Sequence, residues 1–124
     1  MKEQNNLQTK KESIFLVDDE VEICHFFKLG IETEDLDVHV FTNPEEAIAQ
    51  AYTIQPKIIF VDYRMRGITG DKVAEKMPPH IPKCLMTGDY DVQSSYLFNR
   101  EIQKPYKLKD VKSFISSVLN DKKD

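Results

Sequence analysis

At 124 residues the chain is long enough to bury one core and too short for two, so a single domain is expected. With 21 acidic against 17 basic side chains, the net charge of −4 leaves no basic face suited to counterion release, which excludes nucleic acid as a direct ligand. No apolar stretch approaches the roughly 20 residues that span a bilayer, and the polar residues 1–12 lack the apolar centre of a signal peptide; no membrane partner and a cytoplasmic location are expected.

Residues 1–12 carry no periodicity and are expected to be disordered, with the folded unit over 13–119 and a charged tail over 120–124. A first strand over 13–17 contains the unbroken apolar run Ile14-Phe15-Leu16-Val17, suited to a strand covered on both faces. Val21, Cys24, Phe27 and Ile31, joined by Ile23 and Phe26, then give an apolar face at helical spacing over 20–33, with the Phe26-Phe27 pair assigned to the core. A strand over 38–41 follows. The second helix opens with Asn43-Pro44-Glu45-Glu46, a capping residue, a proline at the first turn and two acids against the dipole; Ala47, Ile48, Ala51 and Tyr52 face the core.

Ile58-Ile59-Phe60-Val61 marks a third strand over 57–61, central like the first. A short helix over 69–77 is stopped by Pro78-Pro79 and Pro82. Strands over 83–86 and 101–103 flank a second short helix over 90–99. The last helix carries Leu108, Val111, Phe114, Ile115, Val118 and Leu119 at three-and-four spacing. This alternation predicts an α/β fold, an open five-stranded parallel sheet with helices on both faces, the third and fourth of them shortened. Cys24 and Cys84 form no CxxC pair and read as small buried hydrophobes; His25, His39 and His80 show no metal spacing and read as surface or boundary residues.

Ligands of such a sheet sit beyond the carboxyl ends of its strands. Asp18-Asp19 closes the first strand, Asp62 the third, Thr87 the fourth and Lys104 the fifth. Singly, these are ordinary: Asp-Asp caps a helix, and the others are turn or solvent residues. Together they place three carboxylates, a hydroxyl and an ammonium on one edge. Converging carboxylates repel unless a hard divalent cation with oxygen ligands neutralises them, for which Mg²⁺ is suited. A carboxylate can also attack phosphorus when donors await the phosphoryl oxygens, a part for which Thr87 and Lys104 have the right chemistry.

Phe15-Leu16-Val17-Asp18-Asp19-Glu20, Ile59-Phe60-Val61-Asp62-Tyr63-Arg64-Met65, Met86-Thr87-Gly88 and Lys104-Pro105 resemble receiver domains of two-component signalling, of the CheY-like type, over about 14–119. The resemblance implies that Asp62 is phosphorylated by a histidine kinase or histidine phosphotransfer protein. It further implies that Asp19 and the main-chain carbonyl of Arg64 ligate Mg²⁺ with Asp62, that Asp18 holds the ion through water, and that Thr87 and Lys104 bind the phosphoryl group. By the same resemblance, Lys104-Pro105 is cis and the domain catalyses its own phosphorylation and dephosphorylation, signalling to a downstream protein by contact.

Several positions depart from the family pattern. Met65-Arg66 replaces the usual Met-Pro, although Gly70 is kept, so the loop is expected to lose a rigid element. Arg64 stands two residues after the acceptor, where it either screens the phosphate or points to solvent. Glu101 occupies the aromatic switch position, three before the lysine, and is expected to stay in solvent. The alternative function is therefore a receiver-like binding module acting without phosphorylation. A haloacid-dehalogenase-type phosphatase is disfavoured because Arg64 stands where its general acid is needed, and the scattered glycines make no nucleotide loop.

Overall fold

The computed structural model describes residues 11–120, so most of the 1–12 segment and the 120–124 tail lie outside the described residues. Strands β1 (Glu12–Val17), β2 (Leu36–Phe41), β3 (Ile58–Asp62), β6 (Lys83–Thr87) and β7 (Arg100–Gln103) form one parallel sheet in the order β2-β1-β3-β6-β7. Helices α1 (Val21–Ile31), α2 (Pro44–Ile54), α3 (Gly70–Glu75) and α4 (Leu108–Leu119) cover its faces. The order reverses direction at the β1/β3 junction, which opens a crevice beyond the ends of those two strands.

Successive strand residues point to opposite faces, and the core divides accordingly. Ile14, Leu16, Ile58 and Phe60 pack with Cys24 and Phe27 of α1 and with Val111 and Phe114 of α4. Phe15, Val17, Ile59 and Val61 pack with Ala47 and Ala51 of α2 and Val73 of α3. Both central strands are thereby buried on both faces, as their unbroken apolar runs require. Asn43 Oδ1 accepts from the amides of Glu45 and Glu46 and caps α2.

The apolar stripes are narrower than the sequence suggests. Phe27 is fully buried, but Phe26 is 55 % exposed because it falls well round the helix from the buried Cys24-Phe27-Ile31 line, and Val21, the first helical residue, is 69 % exposed. Tyr52 likewise turns outward, one position past the buried Ala51.

Two segments differ in kind. Residues 88–99 contain no helix; Val92, Ser94, Tyr96 and Phe98 are half-buried and the residues between them exposed, a two-residue period that a helix cannot present. Ser94 Oγ bonds the backbone of Tyr96, and Asn99 Oδ1 accepts from the Lys83 amide, so side chains take the place of helical bonds. After Asp62, β4 (Arg64–Met65) and β5 (Ile68–Thr69) form an antiparallel hairpin turned at Arg66-Gly67, with Gly67 at a φ of 86°. The loop without proline is thus ordered by a small ladder. Among the described residues no helix is long and apolar enough to cross a membrane.

Candidate functional site

Parallel register brings the chain ends together: Val17 pairs with Val61, Asp62 with Met86 and Thr87 with Gln103. Asp18 and Asp19 therefore emerge beside Asp62, with Thr87 and Lys104 on the next two strands. Oxygens of Asp18, Asp19 and Asp62 all lie within 4.8 Å of one another. Lys104 Nζ lies 2.8 Å from Asp62 Oδ1 and 3.3 Å from Asp18 Oδ2, and the Lys104-Pro105 peptide is cis. Asp18 is 1 % exposed and Asp62 5 %.

Burial pushes the Asp62 carboxyl up to about 6; the Lys104 hydrogen bond pulls it down, and the neighbouring Asp18 and Asp19 charges push it further up. Lys104 responds oppositely: burial favours its neutral form, but Asp62 and Asp18 outweigh that and hold its proton more tightly than usual. Cys24, whose thiol donates to the Asp18 carbonyl at 3.2 Å, is pushed up to about 11 by burial and by Asp18, and is no nucleophile.

The hairpin after β3 is pressed against the acceptor's backbone. Gly70 N donates to Tyr63 O at 2.8 Å, and a Cβ on Gly70 would stand 2.3 Å from the Asp62 carbonyl oxygen, so only glycine fits. The turn also delivers Arg66, whose amide donates to Asp19 Oδ2 at 2.9 Å with its guanidinium 3.7 Å away. Arg64 bonds Asp89 Oδ2 through Nε at 2.7 Å while its side chain stays 75 % exposed, so it points to solvent and not to Asp62. Thr87 is buried and its Oγ1 accepts from the Asp89 amide at 2.9 Å, which leaves its own proton free to donate.

All of Asp18, Asp19, Asp62, Thr87 and Lys104 meet at this edge, and Arg64 stands at its rim. Glu101 lies on β7, exposed and away from the cluster. Sequence inspection marked Arg66 only as a missing proline, and passed over Asp89 and two buried charges, Asp71 and Lys83. Asp71, 3 % exposed, accepts from Thr69 Oγ1, the Lys72 amide and the amide and hydroxyl of Ser95; those bonds outweigh its burial and keep its carboxyl below the usual range. Lys83 is fully buried, with Nζ on the carbonyls of Pro78 (2.6 Å) and Ile81 (2.9 Å) and on Tyr96 Oη (3.0 Å). Asp71 had a legible signal, an acid in the first turn of a helix; Lys83, opening an apolar strand, had none.

A doubly wound parallel sheet with a lysine-countered acid cluster at its switch point defines the class. The chain matches the family model of the response regulator receiver domain over residues 14–113 and belongs to that family. It is 24% identical over 111 residues to the heme response regulator HssR of Staphylococcus epidermidis, an alignment covering 84% of this chain and 50% of that protein. The chain thus spans about half the length of the curated relatives it matches. In solved structures its fold is similar to a CheY-like receiver domain from Methanospirillum hungatei, with TM-score 0.83 and 21% identity over 92% of this chain and 98% of that one. It is also similar to a two-component response regulator from Clostridium difficile, with TM-score 0.81 and 20% identity over 89% and 97%.

Proposed function

We propose that this receiver domain accepts a phosphoryl group on Asp62 in a Mg²⁺-dependent reaction, with a histidine kinase or histidine phosphotransfer protein as donor, and passes the signal on by protein contact. The single observation that carries it is the bond of Lys104 to both Asp62 and Asp18 within a cluster of three carboxylates. The donor set is all oxygen and anionic, which suits a hard ion that retains waters. Asp19, Asp62 and the Arg64 carbonyl are assigned as its direct ligands and Asp18 as a water-mediated one. When bound, the ion neutralises the acids and withdraws charge from the phosphoryl oxygens.

The chain's own residues do the rest. An Asp62 carboxylate oxygen forms a bond to phosphorus as the bond from phosphorus to the donor's imidazole nitrogen breaks, and the imidazole leaves with that electron pair. Lys104 moves with the charge and pairs with a phosphoryl oxygen, while Thr87 donates its free hydroxyl to another. Attack of water on phosphorus later returns Asp62 and inorganic phosphate. Arg66, paired with Asp19, and Arg64, paired with Asp89, set two guanidinium groups beside the cluster.

Incubation with acetyl phosphate and Mg²⁺, borohydride trapping and mass spectrometry test the assignment. The adduct is expected at residue 62 and nowhere else, and only with Mg²⁺. An unmodified chain under conditions that label another receiver domain overturns the proposal in favour of a module that binds its partner without phosphorylation.

A further inference from the structure

Arg66 ties the β4-β5 turn to the acid cluster in a way the usual residue at its position does not allow. Met65-Arg66 stands where Met-Pro is usual, and a proline has neither an amide proton nor a charge. Here the Arg66 amide donates to Asp19 Oδ2 at 2.9 Å, and Nε of its side chain lies 3.7 Å from the same oxygen. The three acids thus have two cationic partners of different character. Lys104, 24 % exposed, serves Asp18 and Asp62, whereas Arg66, 88 % exposed, serves Asp19. Arg64 does not compete for that oxygen, because its Nε is held by Asp89 at 2.7 Å. Asp19, Glu20, Met65 and both arginines line one cavity of about 370 Å³ beside the cluster.

A divalent cation ligated by Asp19 meets a guanidinium already paired with that carboxylate, and like charges drawn to one carboxylate repel. We propose that Arg66 is the resident counter-ion of Asp19, which a divalent cation entering the cluster has to outcompete. In the metal-free domain the guanidinium offsets part of the repulsion among Asp18, Asp19 and Asp62. On loading it leaves for solvent, where it is already mostly exposed, while the backbone amide stays on Oδ2 and keeps the carboxylate oriented. The chain therefore gives up some cation affinity and gains a steadier empty site. Because the pair is exposed, the effect is small and screened by salt. This rests on the cluster being the Mg²⁺ site.

The test uses the full chain as wild type, Arg66→Ala, which keeps the amide and removes the charge, and Arg66→Lys, which keeps both. Calorimetric titration with Mg²⁺ at low salt is expected to show Arg66→Ala binding about threefold more tightly than wild type, the worth of an exposed ion pair, with the gain shrinking as salt is added. Arg66→Lys is expected to bind as wild type does. Without metal Arg66→Ala is expected to melt below wild type, and in saturating Mg²⁺ the two are expected to melt together, a convergence that a merely structural arginine would not produce. Beryllofluoride, a phosphoryl mimic, is expected to bind both equally in saturating Mg²⁺. Mg²⁺ affinity in Arg66→Ala equal to or weaker than wild type overturns the inference, as does equal tightening in Arg66→Lys, which would show that charge is not the cause. Weaker beryllofluoride binding by Arg66→Ala also overturns it, since the guanidinium would then serve the phosphoryl group. If wild type itself takes up no Mg²⁺, the metal-site assignment falls and this inference with it; if wild type binds Mg²⁺ and Arg66→Ala binds it no better, only the inference falls.

Discussion

Asp62 ionises in a nearly dry pocket against two neighbouring acids, and Lys104 compensates that cost only in part. Its carboxyl is raised from 3.8 to about 6, so the neutral form is favoured by folding. The associated stability is fully present below the unfolded value and is lost as pH rises through about 6. Asp71 and Glu32 have lowered values and the opposite sign, contributing fully once pH exceeds the ordinary carboxylate range. Between those limits, metal-free protein is expected to melt at a higher temperature near the lower end than above the Asp62 transition. Asp62→Asn, whose amide oxygen still accepts from Lys104, is expected to flatten that dependence, raise the metal-free melting temperature by a few degrees at neutral pH, and abolish phosphorylation. Thermal scans across pH with chelator, and acetyl phosphate labelling, measure all three; an Asn variant labelled at the wild-type rate contradicts the assignment. The two acids after β1 separate by role. Asp18→Ala is expected to weaken Mg²⁺ about tenfold, as loss of an outer-sphere partner does, and Asp19→Ala to weaken it more, read by calorimetric titration.

At the scale of elements, residues 88–99 decide how much of the molecule the sequence could reveal. The sheet was legible because Ile14 to Val17 and Ile58 to Val61 are unbroken apolar runs, and α4 because its six apolar residues hold one spacing throughout. The five residues of the acid edge were legible because strand ends fix where side chains emerge. Residues 88–99 were not, since Val92, Tyr96 and Phe98 are too few to separate a two-residue period from a helical one, and the deciding partners lie elsewhere in the chain. Those partners are Lys83 and Asp71: the three protons of the Lys83 ammonium meet three oxygens, one of them Tyr96 Oη, and Asp71 receives Ser95. Lys83→Met keeps the volume but leaves the Ile81 carbonyl unpaired and the Pro78 carbonyl with only the Ile81 amide, at 3.3 Å. It is expected to cost about 1–3 kcal/mol, the penalty of one buried group left unmet, read as a lower urea midpoint. Tyr96→Phe removes one partner only and is expected to cost about 1 kcal/mol. A Lys83→Met midpoint equal to wild type would show the lysine to be incidental to the segment.

Across the whole molecule, the question is which surface registers what happens at Asp62. In the family to which this chain belongs, an aromatic ring on the last strand is the expected follower of the threonine, but Glu101 stands there, exposed on the edge strand β7. Drawing an unpaired carboxylate inward costs several kcal/mol, roughly, or forces it to protonate, so that route is closed. Two other connections lead out. The Thr87 hydroxyl oxygen holds the Asp89 amide and Asp89 holds Arg64, so a Thr87 that turns to a phosphoryl oxygen disturbs a bridge joining the β4-β5 hairpin to the start of 88–99. The second runs through Gly70, whose backbone sits against Asp62 and carries the adjoining Asp71 and, through it, Ser95. Phe98 and Tyr96 meet edge to face at 5.0 Å over Lys83 and give this segment its own aromatic footing, distinct from the Glu101 strand. Amide shifts on adding beryllofluoride with Mg²⁺ are therefore expected to be largest over 64–69 and 88–95 and small over β7. Arg64→Ala, which cuts the bridge to Asp89, is expected to reduce the shifts over 88–95 while leaving those at Asp62 and its strand neighbours in place. Large changes centred on Glu101 with quiet loops would show that the strand route operates after all and that the bridge carries nothing.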